Sequence, residues 1–350
     1  MAPKKKSAYF QPLSNTTIAL GKLENLKEAQ ILPLPTSTST STSTPDLFSR
    51  LRKPSPGDWL DEHEESGQTF PSFVKLVKSK SARTRPPSKT CDTILLVPIG
   101  SSSKSALSSQ FIAHLLKSCQ AFFHPLKVAI FEETMNLKTV ERRENEFGQK
   151  QYLLSDLYTL INTKTSRLHN VYTRLGVTFE DIYPSDDFNF VYGQALPFEK
   201  VGVFSFSRHS PAFGKSDPPP LTKAQTLSWL EGAVRTMCHE NLHLLGLTHC
   251  IYFKCLINGN NGPGDSAGHC ENLCPCCLRK FMFSLSHVDA NANVFELGSV
   301  VKYYQRLLEA KKTLCRTFSL SEEKTTEKEA WLVARIAQLG GGICSVCVDT

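Results

Sequence analysis

The spacing of apolar and polar residues divides this chain into stretches of different character. Up to about residue 45 apolar side chains are scattered, and Pro33–Pro45 reads Pro-Leu-Pro followed by Thr/Ser alternation. Such a stretch cannot bury enough apolar surface to offset the entropy of ordering it, so residues 1–45 are expected to form a disordered tail. Asp58-Trp59-Leu60 and Phe70-Pro71-Ser72-Phe73 place aromatics in polar surroundings and predict a short docking element, with a basic linker, over 46–91. From Thr93 the pattern changes. Thr93–Ile99 is an apolar run of strand length, and Ala106–Phe123 carries helical periodicity. Leu126–Phe131, Val171–Ile182, Phe188–Tyr192 and Val201–Ser207 also read as strands, and Tyr152–Ile161 reads as a helix. The alternation predicts an α/β (α+β) domain over 92–315, a sheet with helices packed on it. A Pro-rich link, Ser210–Pro220, leads into a helix over Ala224–Leu245 with an apolar stripe at Leu230, Ala233, Val234 and Met237. Cys274–Leu285 and Glu296–Leu314 read as helical. Residues 316–350 are expected to be a polar tail with at most one helix before Gly340-Gly341-Gly342.

Composition narrows the setting. With 350 residues, 40% of them hydrophobic, the chain can build one large core or two small ones. Its apolar runs are too short to span a bilayer. Lys4-Lys5-Lys6 is followed by no apolar stretch, so no secretory signal is expected; the cytoplasm is the default location and the nucleus the alternative. Twelve cysteines in such a chain are expected to be reduced, metal-bound or buried. Part of the net charge of +7 is local, at Lys75, Lys78, Lys80, Arg83, Arg85 and Lys89. No aromatics are interleaved there to stack on bases, so this is a solvated linker and no nucleic-acid partner is expected.

Chemistry concentrates in one run, His239-Glu240-Asn241-Leu242-His243-Leu244-Leu245-Gly246-Leu247-Thr248-His249. Histidines four apart on a helix share a face and can grip one ion. Gly246 can adopt a backbone conformation closed to other residues and turn the chain, so that His249 supplies a third nitrogen. Three ligands leave one tetrahedral position for water, and Glu240, which is not a ligand, can take that water's proton and return it to a leaving amine. Cys250, Cys255, Cys274 and Cys277 follow at once, a quartet suited to a closed, structural zinc site, for which Cys270 or Cys276 could substitute as one member. Cys344 and Cys347 form a further CxxC with no partner pair nearby. The two constellations predict two zinc ions per chain and a peptide or protein substrate. Arg208, His209 and Tyr192 are the polar candidates for stabilising an oxyanion. The competing readings are a zinc-scaffolded pseudoenzyme that binds peptides without cutting them, and a thiol redox protein.

The run HExxHxxGxxHC, then Cys255 and a later CxxC, resembles the archaemetzincins, a branch of the metzincin zinc peptidases. Ser55–Trp59, Ile182–Gln194 and Gly202–Arg208 are similar to the animal archaemetzincin-2 type, and the likeness spans roughly residues 50–285. The resemblance implies a two-lobed, metzincin-like α/β metallopeptidase with a mixed sheet and an active-site helix. It implies catalytic zinc on His239, His243 and His249, Glu240 as general base, and structural zinc on Cys250, Cys255, Cys274 and Cys277. It also implies aminopeptidase-like or limited activity on short peptides laid along an edge strand, for which Val203–Ser207 is the candidate. One position departs from the family: Ile257 stands where the family has the methionine of the turn beneath the metal.

Overall fold

The computed structural model describes residues 19–23, 32, 47–79, 85–100, 106–262, 265, 270–288, 296–318 and 327–341. Helices α1 (Trp59–Glu62) and α2 (Phe70–Lys78) precede strand β1 (Thr93–Ile99), helix α3 (Ala106–Phe123) and strand β2 (Lys127–Ile130). Then come β3 (Arg142–Glu144), β4 (Lys150–Leu153), α4 (Leu154–Thr165), β5 (Val171–Thr178), β6 (Asp181–Tyr183), β7 (Gly193–Leu196) and β8 (Val201–Ser205). The long helix α5 (Lys223–Leu244) follows, and then α6 (Pro275–Leu285), α7 (Leu297–Thr317) and α8 (Glu327–Gln338).

The fold is mixed α/β. Its larger sheet has the order β2-β1-β5-β8-β7, parallel throughout except that β7 runs antiparallel to β8. A smaller sheet has the order β3-β4-β6. All seven residues of β1 are buried, as an apolar run flanked by strands and covered on both faces requires. Alternate residues serve opposite layers. Ile94 and Leu96 join the larger core, which includes Phe111 and Leu115 of α3, Leu230 and Met237 of α5, and Phe281 of α6. Leu95, Val97 and Ile99 join a smaller core with Leu157 and Ile161 of α4.

The sequence expectations for Thr93–Ile99 and Ala106–Phe123 agree with the structure residue for residue. Others differ for local reasons. Val171–Ile182 breaks after Thr178, and its two parts, β5 and β6, enter different sheets. Tyr152–Ile161 begins as strand β4 before the helix starts at Leu154. The aromatic run Phe188–Tyr192 is not a strand; the strand is the less β-prone Gly193–Leu196. Consequently Val203–Ser207 is no edge: β8 is paired on both sides, and the outer position belongs to β7.

Most of the tail expected over 1–45 lies outside the described residues, as do Cys344 and Cys347. Within it, Ala19, Leu20 and Leu32 are buried, and Arg279 of α6 donates to the carbonyls of Leu20 at 2.6 Å and Lys22 at 3.0 Å. Near the other end, α8 packs on α7 and buries Leu332 and Ile336. No described helix is long and apolar enough to cross a membrane.

Candidate metal centres

Helix α5 begins with a capping box: Thr222 accepts from the Gln225 N–H, and Gln225 accepts in turn from the Thr222 N–H. It lies across β7 and β8. Its C-terminus is a Schellman turn, with the Leu247 N–H bonded to Leu242 O at 3.1 Å and the Gly246 N–H to His243 O at 2.8 Å. Gly246 has φ +94°, a conformation that a side chain would strain. Lys200 Nζ caps the same end by donating to Leu244 O at 2.7 Å. The turn delivers His249 to the two helix histidines, and one nitrogen from each of the three lies within 4.8 Å of the others.

Hydrogen bonds settle which nitrogen each ring offers. His239 Nδ1 meets Leu256 O at 2.9 Å, His243 Nδ1 meets Leu247 O at 2.8 Å, and His249 Nδ1 meets Glu65 Oε1 at 2.6 Å. Each partner is an acceptor, so each Nδ1 carries the proton and each neutral ring presents an unprotonated Nε2. The Nε2 atoms of His239 and His243 stand 3.0 Å apart. Two lone pairs at that separation repel unless a cation lies between them, and a tetrahedral zinc with Zn–N near 2.0–2.1 Å spaces its ligands by about 3.4 Å. Burial, followed by the charges of neighbouring histidines, lowers the His239 pKa far below the usual value and holds His243 at about 3. Both rings are therefore neutral at physiological pH, the form in which a histidine binds metal. The donor set fits zinc.

Glu240 is buried on the helix face beside β7. A Cβ built on Gly193 would lie 2.9 Å from Glu240 Cγ and 3.0 Å from Oε1, so the bare backbone at Gly193 is what lets this carboxylate sit against the edge strand. Burial pushes its carboxyl up to about 8.

The second cluster brings together Cys250, Cys255, Cys274 and Cys277, all buried. Cys250 Sγ and Cys274 Sγ are 3.7 Å apart, close to the roughly 3.8 Å expected for two sulfurs 2.3 Å from one tetrahedral ion. Backbone N–H groups of Cys274 and Cys277 point at Cys255 Sγ and Cys274 Sγ, at 3.3 and 3.4 Å. Cys270 and Cys276 stay outside: their thiols donate to Asn272 O and Ala19 O. Lys280 is fully buried beside the cluster and donates to Gln68 O. Burial works against its ammonium, but the neighbouring sulfurs, Cys277 foremost, outweigh that and raise its pKa above the usual lysine value. Ile257 is fully buried in the larger core, and its carbonyl accepts from the Cys250 N–H at 2.7 Å.

The oxyanion candidates separate. Arg208 is committed to Asp181, with two contacts at 2.8 Å, and to Glu146 at 2.8 Å. His209 lies over Gly232 of α5 and shares a hydrogen bond with Thr236 at 3.0 Å. Tyr192 stacks on His209 with ring centroids 4.7 Å apart.

Sequence reasoning named Trp59 only as a docking aromatic and missed Glu65 and Gln68 of the same element. Glu65 holds the His249 ring and also accepts from Trp59 Nε1 at 2.6 Å; Trp59 meets His249 edge to face at 5.2 Å. Gln68 brackets the Gly246 turn, donating to Gly246 O at 3.0 Å and accepting from the Thr248 N–H at 3.4 Å. The signals available, the aromatics of the docking element and the resemblance across Ser55–Trp59, assigned no role at the histidine cluster to these side chains.

No family model matches the chain. Among characterised sequences it is 30% identical over 257 residues to Archaemetzincin-2 of Macaca fascicularis, covering 67% of this chain and 69% of that one. Archaemetzincin-1 of Homo sapiens is 28% identical over 312 residues, covering 82% of this chain and 58% of that one. Among solved structures, the archaemetzincin of Methanopyrus kandleri is 21% identical and covers 57% of this chain and 98% of that one, with a TM-score of 0.41.

Proposed function

Because this chain belongs to the archaemetzincin family of zinc metallopeptidases, we propose that His239, His243 and His249 hold its catalytic zinc through their Nε2 atoms and that Glu240 is the general base. The observation that carries this reading is the pair of facing Nε2 atoms, 3.0 Å apart, whose Nδ1 protons are committed to backbone carbonyls. Bound zinc supplies Lewis-acid polarisation of the scissile carbonyl and acidifies the attacking water. The protein does the rest. Glu240 sits next in sequence to the His239 ligand and against the edge strand, where it can take the water's proton and pass it to the leaving amine. Strand β7, unpaired on its outer side among the described residues, offers backbone groups on which a short peptide can lie as an added strand. Tyr192, whose hydroxyl has no hydrogen-bond partner among the described residues, is the oxyanion candidate left over once Arg208 and His209 are committed.

Cys250, Cys255, Cys274 and Cys277 would hold a second, structural zinc. Four thiolates around a divalent ion carry two surplus negative charges, and the Lys280 ammonium opposes them. None of the described cysteines is paired in a disulfide, which is compatible with a reducing, intracellular setting.

The test is cleavage of a mixed peptide library by zinc-loaded wild type beside Glu240→Ala, read by mass spectrometry with metal content measured in parallel. Glu240→Ala is expected to slow cleavage by about 10²–10⁴-fold with both metals retained; undiminished turnover would remove Glu240 from the mechanism. One observation favours a second reading, peptide binding without cleavage: Ile257 in place of the family's methionine. That reading predicts two bound metals, bound peptide recovered intact, and no cuts by either protein.

A further inference from the structure

Against one flank of α5 lies a cavity of about 90 Å³, room for roughly six to nine water-sized groups. Its walls are largely apolar, including Phe122, Val234, Leu256, Leu314 and Leu332. The flank of α5 that lines it carries Glu231, Val234, Arg235 and Cys238, the three-and-four spacing of one helix stripe. The cavity adjoins the zinc ligands: Arg235 is one turn before His239, Cys238 immediately precedes it, and Leu256 supplies the carbonyl that orients its ring.

Charge in this cavity does not balance. Glu231 accepts from both Lys311 and Lys328, and so does Glu271; two of these four contacts measure 2.7 Å for Lys328–Glu231 and 3.1 Å for Lys311–Glu271. The four side chains close a neutral ring tying α5 to α7 and α8. Arg235 stands outside it. The guanidinium has no ion pair or hydrogen bond among the described residues, and its nearest carboxylates are already committed to the lysines. Burial depresses its pKa, as it does for a cation poorly compensated by its surroundings. A planar guanidinium in an apolar recess is suited to grip a carboxylate by two parallel hydrogen bonds.

We propose that this cavity is a carboxylate subsite, in which Arg235 takes an acidic side chain or the terminal carboxylate of a peptide held at the three-histidine centre. The identity of the ligand as a peptide rests on the peptidase reading above; the anion preference rests on Arg235 and its cavity.

The test uses zinc-loaded, full-length protein carrying Glu240→Ala, so that bound peptides stay intact. Acetylated and amidated alanine peptides with one Glu walked through each position are titrated beside the same series carrying Gln, and beside alanine peptides with a free C-terminus. At one position the Glu peptide is expected to bind about tenfold more tightly than its Gln twin, the size of one charge-assisted contact. Arg235→Met is expected to erase that difference while leaving Gln peptides and metal content unchanged. A gain confined to the free C-terminus, and lost in Arg235→Met, assigns the site to a chain terminus instead of a side chain. Equal affinities throughout, or a preference that survives Arg235→Met, overturn the proposal. If Arg235→Met loses its thermal transition, Arg235→Gln carries the same expectations. An Arg235-dependent preference, with zinc-loaded wild type cutting no peptide of the series, would remove the peptidase reading alone; cleavage by wild type without that preference would remove the subsite alone.

Discussion

His249 and Cys250 are neighbours in the chain, yet they enter two centres of opposite character. The histidine centre is half-buried, and its rings are fixed from behind by acceptors: two backbone carbonyls and the Glu65 carboxylate. The cysteine centre is sealed, and its sulfurs receive donors: backbone N–H groups at Cys274 and Cys277, with the Lys280 ammonium close by. Acceptors behind an imidazole fix the tautomer and leave the other nitrogen free for a metal. Donors aimed at sulfur favour the thiolate. The groups behind the ligands, and access to the ligands, separate an open centre from a closed one more sharply than the ligand atoms do.

The strongest way to break this comparison is Cys277→Ser. Metal content is expected to fall from about two to one per chain, with several kcal/mol of stability lost, because binding at a closed site is folding free energy. Metal analysis and thermal melting check this; a variant that keeps two metals and the wild-type Tm would deny the cysteine centre a structural role. A smaller effect should fall on the other side. Glu65→Ala frees the His249 ring and is expected to weaken the histidine-site metal by about 10–100-fold in a chelator competition, leaving the cysteine-site metal in place. Equal weakening of both metals would mean that the two centres are a single unit.

The smallest effect concerns the ion-pair ring that ties α5 to α7 and α8. Burial alone would raise the Glu231 carboxyl, but Lys311 and Lys328 outweigh it and hold it below its ordinary 4.5. A depressed carboxyl contributes stability above the unfolded value and loses it as pH falls through the folded one. Metal-free protein should therefore melt progressively lower below about pH 4.5. Glu231→Gln should lower Tm at pH 7 by a few degrees, at roughly 2–4 °C per kcal/mol, and converge with wild type in acid. Parallel curves at every pH would show that the ring contributes nothing through this group.

The spacing of the histidine and cysteine motifs was legible because helix and turn geometry are local. All seven supposed ligands, from His239 to Cys277, lie within 40 residues. Glu65 and Gln68 were not legible. They come from a polar stretch without periodicity and reach the site across 184 and 178 residues. Strand β1 and helix α3 were read correctly because a seven-residue apolar run stopped by Gly100 has the length of a strand, and Ala106–Phe123 keeps a helical period over 18 residues. β7 was misplaced because Gly-Gln-Ala-Leu has little strand propensity while Phe188–Tyr192 beside it has much. There the aromatics serve other contacts: Phe190 lies under the Arg208 guanidinium and against Tyr192.

The carboxylate behind His249 also sets a timetable for synthesis. Glu65 leaves the ribosome 184 residues ahead of the histidine it must hold. At about 5–20 residues per second, that wait is on the order of ten to forty seconds. During it, the faces of Phe73 and Val77, which end buried, have no α6 to cover them. The nascent chain therefore carries an uncovered apolar segment until α6 is made, and the stretch holding Gln68 is anchored only once Lys280 can reach back to its carbonyl.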